Sequence, residues 1–341
     1  MKAIIPAAGM GTRLRPHTFT QPKALLPVAG RPILAHIVDE LSACGVDEVI
    51  LVLGYLGERV IDFARRRYPH LTVRAVWQEQ PLGNGHAVYV AREYLDGTPA
   101  VIIFGDTIVK GDLAALVRGP HSLAGVKEVA DPRRLGVVEV DREGLIRRIV
   151  EKPEVPPSRL AVIGVYYITD TLALREALER LVAEDRRQRG EFWLADGLQL
   201  MLDRGVPMRP FAVERWYDCG TVEAWLQANR DLLALDPPPV PEGLGGTVIP
   251  PSYVSSSATL EGSVVGPHAC VGDEVRVVHS TVRDSILLPR AVVEDAHLTA
   301  SVVGEGAAVR GVRGRVNIGD ASRVEGASGE AGGAGRDPMP P

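Results

Sequence analysis

Short apolar runs alternate with amphipathic stretches from residue 1 to about residue 233. Lys2–Pro6, Glu48–Leu53, Val73–Trp77 and Ala100–Phe104 are brief, rich in β-branched residues and bounded by turn formers, which predicts buried strands. Between them, Ile33–Cys44, Glu58–Tyr68 and Ala87–Tyr94 carry apolar residues at helical spacing. Such alternation predicts an α/β class with a parallel sheet and right-handed crossovers. It also places the ligand site beyond the carboxyl ends of the strands. From Leu135 the pattern changes: Gly136–Val140, Leu145–Glu151 and Ala161–Ile168 read as successive strands separated by turns, an antiparallel insertion. Helical spacing returns at Leu172–Ala183, Trp193–Asp203 and Val222–Leu233.

Residues 234–246 are a proline-then-glycine stretch that reads as a linker. Beyond it the helical period disappears and apolar residues recur every six positions: Val254 and Leu260; Val265, Val271 and Val277; Ile286, Val292 and Leu298; Val303 and Val309. Repetition of small units predicts a solenoid. The six-residue spacing with Val-Gly openings resembles the hexapeptide repeat of left-handed parallel β-helices, with a period that slips between groups. Residues 326–341 are low-complexity and are expected to be disordered.

Composition narrows the function classes. At 341 residues, with 45% hydrophobic and 24% charged residues, the chain is globular and long enough for two domains. A formal net charge of −5 argues against a nucleic-acid binder, whose phosphate contacts demand a basic excess. Three cysteines, Cys44, Cys219 and Cys270, lie far apart with no zinc-like spacing, so reduced, packed thiols are expected. No signal peptide and no apolar stretch of membrane-spanning length is visible, which predicts a cytoplasmic protein without a membrane partner. Lysine occurs only at positions 2, 23, 110, 127 and 152, the other cations being arginine, so each lysine stands out.

The richest stretch is Pro6-Ala-Ala-Gly-Met-Gly-Thr-Arg-Leu-Arg-Pro16, followed by Pro22-Lys23-Ala-Leu-Leu-Pro27. A strand feeding Gly9-x-Gly11-Thr12-Arg13 can turn successive backbone N–H groups toward an anion. A dinucleotide fingerprint needs glycine where Leu14 stands, and a phosphate-binding Walker loop needs Gly-Lys-Ser/Thr, which is absent. What remains is a glycine loop with an arginine inside it and a lysine ten residues on; the plain alternative is a strand-to-helix turn with surface cations.

The segment Lys2–Leu34 resembles the signature of sugar-1-phosphate nucleotidylyltransferases, and the resemblance continues in order over residues 1–233. It is nearest to the long thymidylyltransferases with a C-terminal β-helix. The resemblance implies a Rossmann-like, mostly parallel nucleotidyltransferase domain at 1–233 and, after the 234–246 linker, a left-handed β-helix of hexapeptide repeats at 247–325. Nucleotide contacts are implied for Ala8, Gly9, Gly11, Thr12 and Arg13, and base-reading positions for Gln78 and Gly83 in Gln-Glu-Gln-Pro-Leu-Gly-Asn-Gly-His-Ala. Asp106 of Phe-Gly-Asp and Asp218 of Trp-Tyr-Asp-Cys-Gly-Thr match the metal ligands. Gly136, Glu151, Lys152 and Gly164 match the sugar and sugar-phosphate contacts.

The chemistry suits these residue types. A sugar phosphate oxygen attacks the α-phosphorus of a nucleoside triphosphate and expels pyrophosphate, so two polyanions must be neutralised and aligned. Mg²⁺ takes one or two carboxylates plus phosphates, here Asp106 and Asp218. Arg13 would stabilise the departing pyrophosphate, Lys23 the nucleotide phosphates and Lys152 the sugar phosphate. No general base is needed, because a phosphate monoester is largely ionised at neutral pH. A glutamine amide at position 78 can donate to a pyrimidine O2 or O4 and accept from N3–H, which fits thymine and uracil alike. Gly-Asn-Gly-His-Ala resembles uridylyltransferases, while Lys2–Leu34 and Gly164-Val-Tyr-Tyr resemble thymidylyltransferases; the expectation is dTTP with glucose 1-phosphate, UTP being the alternative.

Thr107, where many glucose-1-phosphate enzymes carry asparagine, and Ala195, where Thr or Ser is usual before Asp196, depart from the family pattern. Two other classes compete: a silent subunit that binds a nucleotide sugar, against which intact Arg13, Lys23, Asp106 and Asp218 argue, and a second, acetyl-transferring activity based on His268, His279 or His297 of the repeats. The default role of the repeats is structural, covering the catalytic domain or building a homo-oligomer. His86 is expected to cap or pack.

Overall fold

A computed structural model describes residues 1–326; the expectation for the tail falls almost entirely outside them. The chain divides into two compact units, Met1–Ala228 and Asn229–Pro341. Among the described residues no helix is long and apolar enough to cross a membrane, and all three cysteines are free.

The first unit opens with β1 (Lys2–Pro6), a two-rung hairpin of β2 (Pro27–Val28) and β3 (Arg31–Pro32), and α1 (Ile33–Ala43). It continues through β4 (Glu48–Leu53), α2 (Gly57–Arg67), β5 (Thr72–Trp77), α3 (Asn84–Val90) and β6 (Ala100–Ile103). These strands form the parallel half of a nine-stranded sheet, in the order β6, β1, β4, β5. Ile4, Ile50, Val52 and Ile102 share one core cluster with α3 residues such as Val88, and the alternate Ile5, Val49, Leu51 and Leu53 are buried as well. Continuous apolar runs in β1, β4 and β6 follow from burial on both faces. β5 departs from the expectation of a buried strand: it is the sheet's edge, and its Trp77 is 42% exposed. The third predicted helix begins earlier, at Asn84, and breaks at Ala91 into a short 3₁₀ turn, Arg92–Tyr94.

After β7 (Thr107–Lys110) and the short α4 (Leu113–Leu116) come β8 (Ser122–Glu128), β9 (Gly136–Val140), β10 (Ile146–Glu151) and β11 (Leu160–Ile168). β9 to β11 are antiparallel, as their spacing predicts, but they extend the main sheet, because β11 pairs with β6. The sheet is therefore mixed. α5 (Thr171–Ala183), α6 (Leu194–Asp203), β12 (Met208–Ala212), β13 (Arg215–Asp218) and α7 (Val222–Leu235) complete the order. β12 lies parallel to β8, while β13 forms a separate two-stranded ladder with β7.

Among the described residues the second unit stacks fifteen short strands into three five-stranded parallel sheets, the arrangement of a left-handed β-helix. Val254, Leu260, Val265, Val271, Val277, Val282, Leu287, Val293, Leu298, Val303 and Val309 fill its interior. The spacing between them is five or six residues, so Leu287 and Val293 face inward where a strict six-residue reading chose Ile286 and Val292. Coils shorten along the axis: on one sheet the register runs Thr259, Arg276, Val292, Ala308, Arg323, steps of 17, 16, 16 and 15 residues. Three strict hexapeptides would need about 18. The corners are left-handed turns, which is where His268 (φ 59°) and His279 (φ 46°) stand; histidine is among the residues that tolerate this region.

Candidate active site

The carboxyl ends of β1, β5 and β6 open onto one cavity of about 420 Å³, lined by residues 6–9, Gln78 and residues 104–107. The antiparallel half supplies the other wall: Leu135 and Gly136, Glu151 and Lys152, Val162 to Gly164 and Tyr166, with Glu191, Trp193, Ala195, Trp216 and Asp218. Ala8, Gly9, Arg13, Lys23, Gln78, Gly83, Asp106, Gly136, Glu151, Lys152, Gly164 and Asp218 therefore meet in one place although they span most of the unit. Gly11 and Thr12 do not line it. Gly11 turns the chain instead: its carbonyl accepts from the Thr18 hydroxyl and the Leu14 N–H, both at 2.8 Å. Thr12 opens the following 3₁₀ turn, which carries Arg13 into the cavity.

The two aspartates are brought together by the small ladder. Asp106 immediately precedes β7, and Asp218 ends β13 in register with Thr107. The Cys219 N–H donates to the Asp106 carbonyl at 3.2 Å, closing the end of the pair. Lys23 forms an ion pair with Asp106, whose side chain keeps 35% of its surface open. Burial pushes the Asp106 carboxyl upward, but Lys23, with Arg13 beyond it, outweighs this and holds it below the ordinary carboxylate value. Asp218 goes the other way: burial raises it first and the neighbouring Asp106 charge adds to that. A Cβ placed on Gly220 would come 2.8 Å from both Arg13 Nη2 and Asp218 Oδ1, so cation and carboxylate close on the same bare backbone. Two neighbouring carboxylates, Asp218 raised in part by the charge on Asp106, suit a hard divalent cation, which removes the repulsion. Among the described residues no group of three or more His, Cys, Asp or Glu side chains is placed to hold a metal, so any ion here would complete its shell with phosphate and water.

Gln78 is 7% exposed and is fixed at both ends. Its backbone N–H donates to Leu53 O at 2.8 Å, and its Nε2 donates to Gly83 O and to His86 Nδ1, each at 3.0 Å. Only the NH₂ end of an amide can donate to Gly83 O, so the orientation is settled and both amide protons are used. This corrects the two-way base reading expected of Gln78: Oε1 is the atom left to meet a ligand. Burial lowers the His86 pKa, and the neutral ring accepts from Gln78 through Nδ1. The sequence suggested only capping or packing for His86; its spacing of eight from Gln78 gave no sign of this contact. Gly83 itself has φ 102°, and a Cβ there would lie 2.5 Å from Phe192 O. Gly83→Ala is therefore expected to shift the loop and lower the Tm by about 4 °C or more, measured by differential scanning calorimetry.

At the other wall Glu151 sits beside Lys152, with 3.8 Å between Oε1 and Nζ. Burial raises Glu151 to about 7 against the opposing pull of Lys152, with Asp196 and Glu191 adding to the rise. Burial also raises Asp196 to about 6, and Gln188 Nε2 donates to its Oδ1 at 2.7 Å. Gly136 and Gly164 serve close packing: a Cβ on the first would come 3.0 Å from Glu151 Oε2, and on the second 2.5 Å from the Phe104 ring. Trp193, Trp216, Tyr166 and Arg134 also line the cavity; none was singled out by sequence, since aromatic residues near a strand or helix end read as core.

The nucleotidyl transferase family model matches residues 2–234. A glucose-1-phosphate thymidylyltransferase from Streptomyces antibioticus is 30% identical over 359 residues, covering 95% of this chain and 99% of the relative. A protein of the same name from Streptomyces griseus is 33% identical, covering 92% and 90%. Among solved structures, a UDP-glucose pyrophosphorylase complexed with UDP-glucose superposes with a TM-score of 0.60 at 27% identity, covering 69% of this chain and 98% of that one. The matched stretch runs from the first strand past Asp218 and takes in every residue of the cavity, so the chain belongs to the nucleotidyl transferase family.

Proposed function

We propose that this chain transfers a nucleotidyl group from a pyrimidine nucleoside triphosphate to a hexose 1-phosphate, releasing pyrophosphate, with dTTP and glucose 1-phosphate as the expected pair. The observation that carries the reading is a single cavity with a carboxylate pair and two cations at one end and a separate Glu151–Lys152 pair on the far wall. One polyphosphate and one phosphorylated sugar need that division of charge. The names of the Streptomyces relatives support dTTP and glucose 1-phosphate. The UDP-glucose complex of the structural relative supports UTP as the second reading.

Asp106 and Asp218 would hold Mg²⁺, which when bound neutralises phosphate charge and orients the triphosphate. Arg13 stabilises charge on the departing pyrophosphate. Lys23, held at the carboxylates by its ion pair, presents a compact positive charge to the nucleotide phosphates. Gln78 Oε1 accepts the N3–H of thymine or uracil, a donor that cytosine lacks and that a purine cannot match in the same pose. Lys152 binds the sugar phosphate and Glu151 accepts from sugar hydroxyls. Rate enhancement comes from alignment and fixed charge, with no side-chain nucleophile.

The test is a matrix of dTTP, UTP, CTP, ATP and GTP against several sugar 1-phosphates, scored by pyrophosphate release. A preference for dTTP or UTP supports the Gln78 reading; a preference for CTP or for a purine overturns it. A pH dependence follows as well. Glu151 is protonated below about pH 7, and only its carboxylate accepts two sugar hydroxyls, so KM for the sugar phosphate is expected to fall as pH rises through 7. Glu151→Gln should flatten that limb, read from KM at pH 6 and 8. For stability the sign is opposite: a carboxyl raised in the folded state favours folding at low pH and loses that contribution as pH climbs through about 7.

A further inference from the structure

Lys152 is held in an unusual way. Its backbone lies at φ 42°, a region that a lysine keeps only where its surroundings fix it. Its N–H donates to Leu135 O at 3.0 Å, and its ammonium stands 3.8 Å from the centre of the Trp193 indole. Glu151 is the other neighbour, also at 3.8 Å, but that carboxyl loses its charge near neutrality. The indole face does not titrate. A cation over a tryptophan ring within about 6 Å is attracted by the ring quadrupole, most strongly where water is excluded.

Trp193 is itself anchored on the nucleobase side. Its Nε1–H donates to Gln188 O at 3.2 Å. The residues on either side of it are tied to the loop that carries Gly83: Gly85 N–H donates to Phe192 O at 2.9 Å, Phe192 N–H to Leu82 O at 2.8 Å, and Leu194 N–H to Asn84 Oδ1 at 2.8 Å. A Cβ on Gly85 would come 2.6 Å from the Trp193 carbonyl carbon, so the two segments touch along their backbones.

We infer that Trp193 is a positioning residue for the sugar-phosphate side of the reaction, its indole face holding the Lys152 ammonium in place from a platform built on the nucleobase loop. The inference rests on the proposed role of Lys152 and adds to it the group that aims the charge. Its bland competitor is that the indole only fills space. Trp193→Phe keeps a weaker π face, whereas Trp193→Leu keeps apolar bulk and removes the face.

With dTTP and glucose 1-phosphate, Trp193→Leu is expected to raise KM for the sugar phosphate about tenfold, leave KM for dTTP within about twofold, and be largely rescued by Trp193→Phe. In a Lys152→Met background the leucine substitution should add nothing further. Equal losses in both KM values, no rescue by phenylalanine, or full additivity with Lys152→Met would overturn the inference. A second readout needs no turnover: acetylation of Lys152 by an N-hydroxysuccinimide ester, followed by peptide mass spectrometry, should be faster in Trp193→Leu than in the unaltered chain. An unchanged rate means the indole does not hold the lysine. Absence of turnover in the unaltered chain with every substrate pair would instead sink the proposed reaction, and the acetylation rates would still decide the role of Trp193.

Discussion

Asp106→Asn is expected to lower kcat about a thousandfold or more while leaving the fold intact. The substitution keeps the shape and one acceptor oxygen but removes the charge that faces Lys23 and would help hold the divalent ion. Its structural cost is small, because the strand-end backbone, from the Gly105 N–H donating to Pro6 O at 2.9 Å to the Asp106 carbonyl accepting from Cys219, does not use the carboxyl. Asp218 also rises through its neighbour's charge, so in the asparagine variant it returns toward the ordinary carboxylate value. A stopped-flow pyrophosphate assay, with circular dichroism as the control for folding, measures the loss; retention of a tenth of the activity or more would remove Asp106 from the metal role.

The second large effect belongs to Lys23→Met, expected to cut kcat/KM for the nucleotide about a hundredfold or more. Lys23 is only 12% exposed and is the strongest force keeping Asp106 ionised. Without it, burial is opposed only by the weaker pulls of Arg13 and the backbone, so the Asp106 carboxyl rises. The acid limb of the pH–rate profile should then move to higher pH, a readout that simple loss of nucleotide binding would not give. Lys23→Arg is not expected to restore activity, since a planar, broader guanidinium cannot occupy the site of a compact ammonium. An unmoved acid limb in Lys23→Met would show that the ion pair does not set the state of Asp106.

The parallel half was legible because β1, β4 and β6 are covered on both faces, and coverage on both faces leaves unbroken apolar runs. β5 misleads for the complementary reason: Val73, Ala75 and Val76 look like a buried strand, yet an edge position leaves Trp77 in solvent. In the β-helix the apolar period predicted the solenoid, but coil length is set at the corners, where left-handed residues such as His279, Asp284 and Asp295 stand in the five-residue steps between inward positions, and these carry no hydrophobic signal. In the site, the charged motif residues converge as the resemblance implied, since strand ends collect whatever follows a buried run. Gln78 was expected from sequence to contact a base, but its half-committed amide was not readable, because its partners, Gly83 O and His86, are a backbone atom and a side chain whose geometry depends on the loop. Trp193 was hidden by its type: an indole beside a helix start reads as packing, and only the position of Lys152 above it gives it a role.

In the proposed reaction the bond made joins the nucleotide α-phosphorus to the sugar phosphate oxygen. It is tested most directly by following label from dTTP and UTP carrying ³²P at either the α or the γ position, with glucose 1-phosphate and Mg²⁺. α-Label is expected in a nucleotide sugar and γ-label only in pyrophosphate. γ-Label on the sugar, or α-label found only in free nucleotide, would contradict it.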